Sequence, residues 1–300
     1  MSTHTPRPVS AWILPDPVHK PLKAGLYLIA TPIGNLRDIT LRALDTLSAV
    51  DTIYCEDTRI SGKLLSTYGI KKKLEIYNDH SDSGKRAEIL QRIQNGEALA
   101  LISDAGTPLI SDPGYKLVED LKAKGLYVTS LPGANAPLTA LQLSGLPSNA
   151  FTFIGFLPPK SGARQSLLRL WQNTPSTLIA FETGPRLTKS LADIAEVLGN
   201  RTVAVTRELT KLYEEIQCGP LETLITHYES REQPKGEIVL VIAPPVETTI
   251  SEEDLSTLLK TALKTMRTKE AAAHVSTQTG ASRSALYTLA LTLTESPDAD

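Results

Sequence analysis

Residues 98–114 read ALALISDAGTPLISDPG, and this stretch decides the fold. Its first five residues form a short apolar run, and the next twelve, Ser103 to Gly114, hold two Asp, two Gly and two Pro. A short apolar run bounded by turn residues predicts a buried strand. The loop then lies at the carboxyl end of that strand, which is the edge where open α/β sheets bind ligands. An ordinary tight turn is the alternative interpretation.

The same alternation of short apolar runs and amphipathic stretches repeats along the first half of the chain. Repeated strand and helix units predict a mostly parallel sheet with helices on both faces. Right-handed crossovers bring the loops that follow the strands to one edge. The predicted strands are Leu26–Ala30, Ile53–Cys55, Leu74–Tyr77, Leu99–Ile102 and Leu126–Ser130, with helices near 38–48, 60–68, 84–95, 114–124 and 136–144.

The pattern restarts after Ser148 and predicts a mixed sheet, followed by a small all-α module with helix-turn-helix character. The fold class is therefore α/β, with two α/β domains and a C-terminal helical module. The predicted strands of the second sheet are Phe151–Phe156, Thr177–Phe181, Val203–Thr206, Tyr213–Cys218 and Glu237–Ala243. The predicted organisation is a flexible Pro-rich arm at 1–24, α/β domains at 25–147 and 148–243, a linker at 244–250, the helical module at 251–293 and a disordered tail at 294–300.

Composition limits the classes of partner. The net charge of −2 over 300 residues gives no overall attraction to nucleic acid, so a polyanion must be held by local basic patches. No apolar run approaches the length of about 18 residues that a membrane helix needs. The first 24 residues lack the apolar core of a signal peptide. We therefore expect a cytoplasmic protein, in which Cys55 and Cys218 are buried free thiols.

Polar side chains follow the second and third predicted strands. Glu56, Asp57 and Arg59 come directly after Cys55, and His80 follows the strand that ends near Tyr77. Carboxylate and imidazole groups at the ligand edge are candidates for a general base, and arginine is suited to bind a phosphate. A helix cap at Asp57 and plain surface positions for Arg59 and His80 are the alternatives.

Small residues and turn formers follow the first and fifth strands, where they let a ligand approach the backbone. They lie in Thr31–Asn35, which includes Pro32, and in Leu131–Pro137. The chain has no G-x-G-x-x-G after a strand, no G-x-x-x-x-G-K-[ST], no G-x-S-x-G and no zinc-like spacing of Cys and His. These absences leave a ligand that is held mostly by backbone, without a metal.

A series of motifs resembles one known family. In chain order they are T-P-I-G-N-L-x-D-I-T (31–40), E-D-T-R (56–59), S-D-A-G-T-P-L-I-S-D-P-G (103–114), L-P-G (131–133), S-G-L-P (144–147), G-F-L-P (155–158), R-E-L-T-K (207–211) and K-G-E (235–237). The chain resembles the small-subunit ribosomal RNA cytidine 2′-O-methyltransferases of the tetrapyrrole methylase superfamily over roughly residues 25–243 and into the helical tail.

The resemblance implies S-adenosylmethionine in a cleft between two α/β domains, a homodimer, and methylation of a ribose hydroxyl in the decoding region. The target is small-subunit ribosomal RNA or the assembled subunit. Glu56, Asp57 or His80 is the candidate base, unless water takes that role, and Arg59 is the candidate phosphate contact. Pro32, in the loop after the first strand, is a candidate cofactor contact by its place at the ligand edge. The cofactor-binding residues that the resemblance implies are Asp104, Ala105, Gly106, Thr107, Pro108, Ile110, Pro132, Gly133, Ala134, Asn135, Phe181, Leu209, Lys235 and Gly236.

Two departures from the family pattern affect single contacts. The turn after the fifth strand reads Pro132-Gly133-Ala134 where the family commonly has P-G-P, and Phe181-Glu182-Thr183 replaces a frequent Tyr-Glu-Ser/Ala. Small and aromatic character is kept at both places.

The helical module carries a local positive charge. Between residues 255 and 290 there are five cations and one anion, Glu270. This balance predicts an RNA-docking arm. There are two alternatives for the helical module: its basic side is simply a solvated face, or the module packs on a partner subunit through its apolar side. The candidate RNA-binding residues are Lys260, Lys264, Arg267, Lys269 and Arg283, and Lys71–Lys73 offers a second patch.

Two other functions stay open at this level. A tetrapyrrole or diphthine-type methylase shares the fold, although the basic tail and the Glu56–Arg59 quartet argue against it. A non-catalytic protein that binds RNA or the cofactor would keep the cleft and show no turnover.

Overall fold

The computed structural model of the chain describes residues 21–78, 83–245, 252–279 and 281–295. These residues form ten strands and eleven α-helices, with short 3₁₀ turns at Leu36–Asp38 and Gly184–Arg186. The strands are β1 (Gly25–Ile29), β2 (Thr52–Cys55), β3 (Lys73–Ile76), β4 (Ala98–Ile102), β5 (Val128–Leu131), β6 (Phe151–Phe156), β7 (Thr177–Thr183), β8 (Thr202–Arg207), β9 (Glu215–Pro220) and β10 (Glu237–Ile242). The helices are α1 (Leu41–Ala49), α2 (Thr58–Thr67), α3 (Ser83–Gln94), α4 (Tyr115–Ala123), α5 (Ala136–Ser144), α6 (Ser161–Trp171), α7 (Leu187–Leu198), α8 (Leu221–Glu229), α9 (Glu252–Leu263), α10 (Thr268–Thr279) and α11 (Arg283–Glu295).

The first sheet has the strand order β3-β2-β4-β1-β5, and every pairing in it is parallel. Strand β4 lies at its centre with all five residues buried. Ala100 and Ile102 pack on the side of α1, while Leu99 and Leu101 pack on the side of α3 and α4. Since successive strand residues point to opposite faces, this apolar run needs helices on both. The predicted parallel, doubly covered sheet is confirmed.

The second sheet has the order β6-β7-β10-β8-β9 and is mixed, as predicted. Strands β6 and β7 are parallel, and the other three pairings are antiparallel. Helices α6, α7 and α8 cover one face through Leu168, Leu191 and Leu224.

Helix α5 covers the other face of the second sheet. It follows β5 of the first sheet, yet Ala140 and Leu141 pack against Ile179, Ala204 and Val241. The prediction assigns this helix to the first domain because it follows β5 in the chain. The apolar stripe of the helix does not indicate which sheet it covers. The domain bounds themselves stay predictions. By its contacts the chain divides into two compact units, 1–245 and 246–300.

The second unit is a small helical module, as predicted. Helices α9, α10 and α11 pack around Leu259, Ala272, Val275, Leu286 and Ala290. The Pro-rich arm up to residue 20, His80, residues 246–251 and residues 296–300 lie outside the described part of the chain.

The two cysteines are both free thiols but differ in burial. Cys55 is buried, as expected, whereas Cys218 is exposed, so the expectation of a buried thiol there was wrong. Cys218 lies on β9, an edge strand in which every residue is exposed or only partly buried. No helix among the described residues is long and apolar enough to cross a membrane.

Candidate functional site

The loops that follow the strands of the first sheet are tied to one another at its carboxyl edge. Thr31 and Gly106 exchange two backbone hydrogen bonds of 2.9 and 3.0 Å. The Thr31 hydroxyl donates to the carbonyl of Ser103 at 3.0 Å, and the Thr107 hydroxyl donates to the carbonyl of Ala134 at 3.0 Å. These bonds join the loops after β1, β4 and β5 to one another.

A cavity of about 420 Å³ lies between this edge and the second sheet. This volume falls within the range typical of small-molecule sites. The residues that line it are Ile33, Glu56, Asp104, Ala105, Gly106, Thr107, Ile110, Ser111, Asp112, Asn135, Ala136, Pro137, Phe156, Phe181, Glu182, Thr183, Leu209, Gly236, Glu237, Ile238 and Val239.

The long loop after β4 folds back on itself through unusual backbone angles. Leu109 and Ser111 have φ of 73° and 66°, a region that residues other than glycine rarely adopt. Gly114 has φ of 130°, and a Cβ there would come within 2.8 Å of Leu101 Cδ2. Strain of this kind persists only where the surroundings enforce it, and it is typical of functional sites.

Asp104 presents a carboxylate to the cavity. Its Oδ1 is buried and has no hydrogen-bond partner among the described residues. Burial raises the pKa of Asp104, and the charge of Asp57 raises that pKa further, while a hydrogen bond from the Asp57 backbone acts in the opposite direction. A buried acceptor without a partner is costly, so the site is suited to a ligand that donates a hydrogen bond or carries positive charge.

Asp112 is a second carboxylate on the same loop. Burial raises its pKa to about 6, and the negative charge of Asp104 adds to this effect. A hydrogen bond with the Ser103 side chain lowers the pKa and partly offsets the other two effects. The strained return of the loop therefore brings two interacting carboxylates to one wall of the cavity.

The second sheet supplies aromatic and acidic groups. The rings of Phe156 and Phe181 lie 5.0 Å apart between centroids. Glu182 is buried, and its carboxylate accepts hydrogen bonds from Arg186, at 2.6 Å, and from the Ser190 hydroxyl. A Cβ on Gly184 would lie 1.6 Å from the carbonyl oxygen of Pro234, so the segment that leads to Gly236 packs directly on this turn.

The charged residues that line the cavity are all acidic. The lining contains five acidic residues, and no lysine, arginine or histidine lines it within the described ranges. Two of the acids are paired outside the cavity, Glu182 with Arg186 and Glu237 with Lys211 at 2.7 Å. Because cations are attracted to such a lining and anions are repelled, the cavity fits a positively charged ligand with apolar parts.

The predicted cofactor-binding residues divide between the cavity wall and its support. Nine of them line the cavity, namely Asp104, Ala105, Gly106, Thr107, Ile110, Asn135, Phe181, Leu209 and Gly236. Asn135 also caps α5, since its side chain accepts a hydrogen bond from the Leu138 N–H at 3.0 Å. The remaining six do not line it, and they are Pro32, Pro108, Pro132, Gly133, Ala134 and Lys235.

The predicted catalytic residues are also divided. Glu56 lines the cavity, whereas Asp57 and Arg59 do not. Asp57 caps α2 and accepts hydrogen bonds from the Arg59 backbone at 2.8 Å and from its guanidinium at 2.5 Å. These hydrogen bonds lower the pKa of Asp57 to about 2, while 89% of the Arg59 side chain is exposed. His80 lies outside the described residues.

Sequence reasoning missed several residues of the lining. Asp112 was inside the quoted motif without a role, and Phe156 lay in the G-F-L-P motif. Only the presence of a carboxylate in a contorted loop could have indicated Asp112. Within the described part of the chain, no group of three or more His, Cys, Asp or Glu could hold a metal ion.

The five candidate RNA-binding cations of the helical module are all exposed. Four of them, Lys260, Lys264, Arg267 and Lys269, lie around the junction between α9 and α10. Arg283 begins α11, beyond the other end of the 12-residue helix α10. A helix of that length spans about 18 Å, so Arg283 does not belong to the same cluster.

The comparisons with known proteins agree with this architecture. The model of the Tetrapyrrole (Corrin/Porphyrin) Methylases matches residues 25–225, and that of the RsmI C-terminal HTH domain matches residues 249–294. Among solved structures, diphthine synthase has a TM-score of 0.58 at 15% identity, covering 73% of this chain and 89% of that one. The methyltransferase CobJ has a TM-score of 0.54 at 16% identity, with 74% and 94% covered. Both likenesses concern the fold alone.

Curated relatives are much more similar. The Ribosomal RNA small subunit methyltransferase I of Erythrobacter litoralis is 52% identical over 274 residues, which is 91% of this chain and 97% of that protein. Those of Mesorhizobium japonicum and Escherichia coli O157:H7 are 46% and 44% identical and cover 89% of this chain, and 92% and 94% of their own lengths. The chain therefore belongs to the tetrapyrrole methylase family and, within it, to the ribosomal RNA small subunit methyltransferases I.

Proposed function

We propose that this enzyme transfers a methyl group from S-adenosylmethionine to the 2′-hydroxyl of a cytidine in the decoding region of small-subunit ribosomal RNA. The observation that carries the proposal is the acidic, partly apolar cavity at the carboxyl edge of the first sheet. The chain's relatives are named as ribosomal RNA small subunit methyltransferases, which supports the same proposal.

The donor set of the cavity fits this cofactor. When bound, S-adenosylmethionine supplies a methyl group on a positively charged sulfur, and it also carries an ammonium group. Asp104 would hold a positively charged or hydrogen-bond-donating part through its unpartnered Oδ1. Ile33, Phe181 and Leu209 offer an apolar surface for the adenine ring.

The residues of the chain have two further tasks in such a reaction. They must hold the ribose hydroxyl behind the methyl group at about 3–3.5 Å, and they must receive its proton as charge develops on the oxygen. Glu56 lines the cavity and is available for the second task by position. Asp57 is a poor base, because a carboxyl with a pKa of about 2 binds protons weakly.

We propose that RNA is held outside the cavity, since an acidic lining repels phosphates. The exposed cations of the helical module, together with Lys71–Lys73 and Arg59, are the candidate phosphate contacts. The homodimer that the resemblance implies and the cytoplasmic location that we expect from the composition are part of the same proposal.

The competing functions predict different products. Purified protein is incubated with methyl-labelled S-adenosylmethionine and small subunits that lack this modification, and with naked RNA in parallel. We expect the label in 2′-O-methylcytidine after digestion to nucleosides. Label on a base, or only on a porphyrinoid or a protein, would overturn the proposed substrate. Cofactor binding without any transfer would favour the non-catalytic alternative.

A further inference from the structure

The strained backbone of the loop after β4 determines where Asp112 lies. Positive φ values at Gly106, Leu109 and Ser111 reverse the path of the chain within six residues. The reversal returns Asp112 to the level of Ser103, the first residue after the strand. A plain connector to α4 would need none of these angles, so the strain serves the placement of the second half of the loop.

Asp112 faces a cavity that is lined by other acidic residues and, among the residues that the structure describes, by no lysine, arginine or histidine. From its own loop it meets Asp104 and the Ser103 hydroxyl. Glu56 lines the cavity after β2, and Glu182 and Glu237 line it from β7 and β10, each paired with a basic residue. Asp112 has no salt bridge of this kind among the described residues, and it is partly buried where it lines the cavity.

Ser103 can serve both protonation states of Asp112. Its Oγ lies 3.0 Å from the carbonyl oxygen of Gly106, so the hydroxyl can donate there while accepting from a protonated Asp112. The hydroxyl can instead donate to the ionised carboxylate, which is the hydrogen bond that lowers the pKa of Asp112. A group with two well-supported protonation states is suited to receive and release a proton near neutral pH.

We propose that Asp112 is the general base that takes the proton of the target hydroxyl, an inference that rests on the proposed function. As the hydroxyl oxygen forms its bond to the methyl carbon, the carbon–sulfur bond breaks and the sulfur keeps the electron pair. The O–H proton passes to the Asp112 carboxylate and leaves to water after the transfer. The balance requires no further reactant.

Asp112 suits this role better than the carboxylates at the edge that are already paired with a basic residue. The pKa of Asp57 is about 2, and the carboxylates of Glu182 and Glu237 are engaged with Arg186 and Lys211. A base with a pKa of about 6 is largely ionised at neutral pH and still binds a proton far more strongly than Asp57 does.

The test uses Asp112→Asn, with Asp45→Asn on the exposed side of α1 as a matched control. In single turnovers at neutral pH we expect Asp112→Asn to slow transfer about 100-fold or more, because general bases typically contribute that much. By calorimetry the cofactor affinity should change by less than about threefold. The Asp45→Asn variant should match the wild type in both measurements.

The pH dependence separates a base from a structural residue. The wild-type rate should fall tenfold per pH unit below about 6, where Asp112 becomes protonated. Asp112→Asn should lose this acid limb. Ser103→Ala removes a hydrogen bond to the ionised form and should move the limb to higher pH. Carboxyl ¹³C NMR of the enzyme without cofactor should show a group that titrates near the same pH and that disappears in Asp112→Asn.

The outcomes distinguish the two proposals. If the wild type does not methylate ribose, the proposed function fails, while the NMR titration still reports on the carboxyl itself. If the wild type is active and Asp112→Asn retains its rate and acid limb, the role of Asp112 is refuted. A limb that does not move in Ser103→Ala also contradicts it, and this holds even if Asp112→Asn does not fold.

Discussion

The backbone N–H of Asn35 donates a hydrogen bond of 3.1 Å to the side-chain hydroxyl of Thr210. This bond joins the loop after β1 to the loop after β8, so it connects the two sheets beside the cavity. Ile33 and Leu209, which precede the bonded residues by two and one positions, line the cavity and share one apolar cluster. The width of the cavity therefore depends on how closely these two loops approach.

Gly34→Ala should push the loops after β1 and β8 apart and weaken cofactor binding. A Cβ on Gly34 would lie 2.5 Å from Lys211 Cγ and 2.8 Å from Thr210 Oγ1, so the loops must separate. Overpacking of this kind costs about 1–3 kcal/mol, and the same free energy lost from binding corresponds to about 5- to 150-fold in affinity. Gly162→Ala is the control, because a Cβ there meets nothing within 4 Å. Calorimetry that gives equal affinities for both variants would show that the contact does not set the cavity.

Asp104→Asn should weaken cofactor binding without weakening the fold. The raised pKa of Asp104 means that its ionised form is less favourable in the folded chain than in the unfolded one. Above its folded pKa the carboxylate therefore costs stability, and its removal should leave the urea midpoint unchanged or higher. Cofactor affinity should fall about tenfold or more, as expected for the loss of a charged partner. An unchanged affinity would mean that the cavity holds another ligand.

Asp57→Ser should keep activity, whereas Asp57→Ala should lower the urea midpoint. Serine retains the helix cap on α2 that Asp57 provides through the Arg59 N–H, and alanine does not. The pKa of Asp57 is lowered to about 2, so its contribution is present at neutral pH and is lost as the pH falls from about 4 toward 2. Loss of single-turnover methyl transfer in Asp57→Ser would instead show that the Asp57 carboxylate is needed for catalysis.

Asp193→Ala should destabilise the second sheet's helices strongly. The Arg164 guanidinium is 3% exposed, donates to Asp193 at 2.6 Å and also donates to the carbonyl of Pro158 at 3.0 Å. Removal of one partner from a buried pair typically costs about 3–5 kcal/mol. The pKa of Asp193 is lowered by its hydrogen bonds against the effect of burial, so this stabilisation is lost on acidification. Urea unfolding measures the loss, and the double variant Arg164→Met, Asp193→Leu should recover most of it.

The sequence was sufficient for the elements and for one wall of the site, and insufficient for what depends on contacts between distant segments. Strand β4 could be predicted because a run of five apolar residues followed by turn-forming residues is a local signal. The packing of α5 on the second sheet, the exposure of Cys218 and the return of Asp112 toward Ser103 depend on where other segments lie. The left-handed angles of Leu109 and Ser111 have no local signal, since neither is a glycine.

Removal of the chain after Pro245 should separate RNA docking from cofactor binding. The contacts of residues 1–245 form one compact unit that contains the whole cavity, so the truncated protein should bind the cofactor with unchanged affinity. Binding to the small subunit should weaken, because the exposed cations Lys260, Lys264, Arg267 and Lys269 are lost. Each phosphate contact releases about one counterion, so reversal of these four charges in the full chain should flatten the salt dependence of binding by about four units of slope. Arg283, which lies apart from this cluster, should reduce the slope by at most about one unit when it is reversed alone. Sedimentation of the truncated protein tests the alternative: a fall to monomer with unaltered RNA affinity would assign the module to subunit packing.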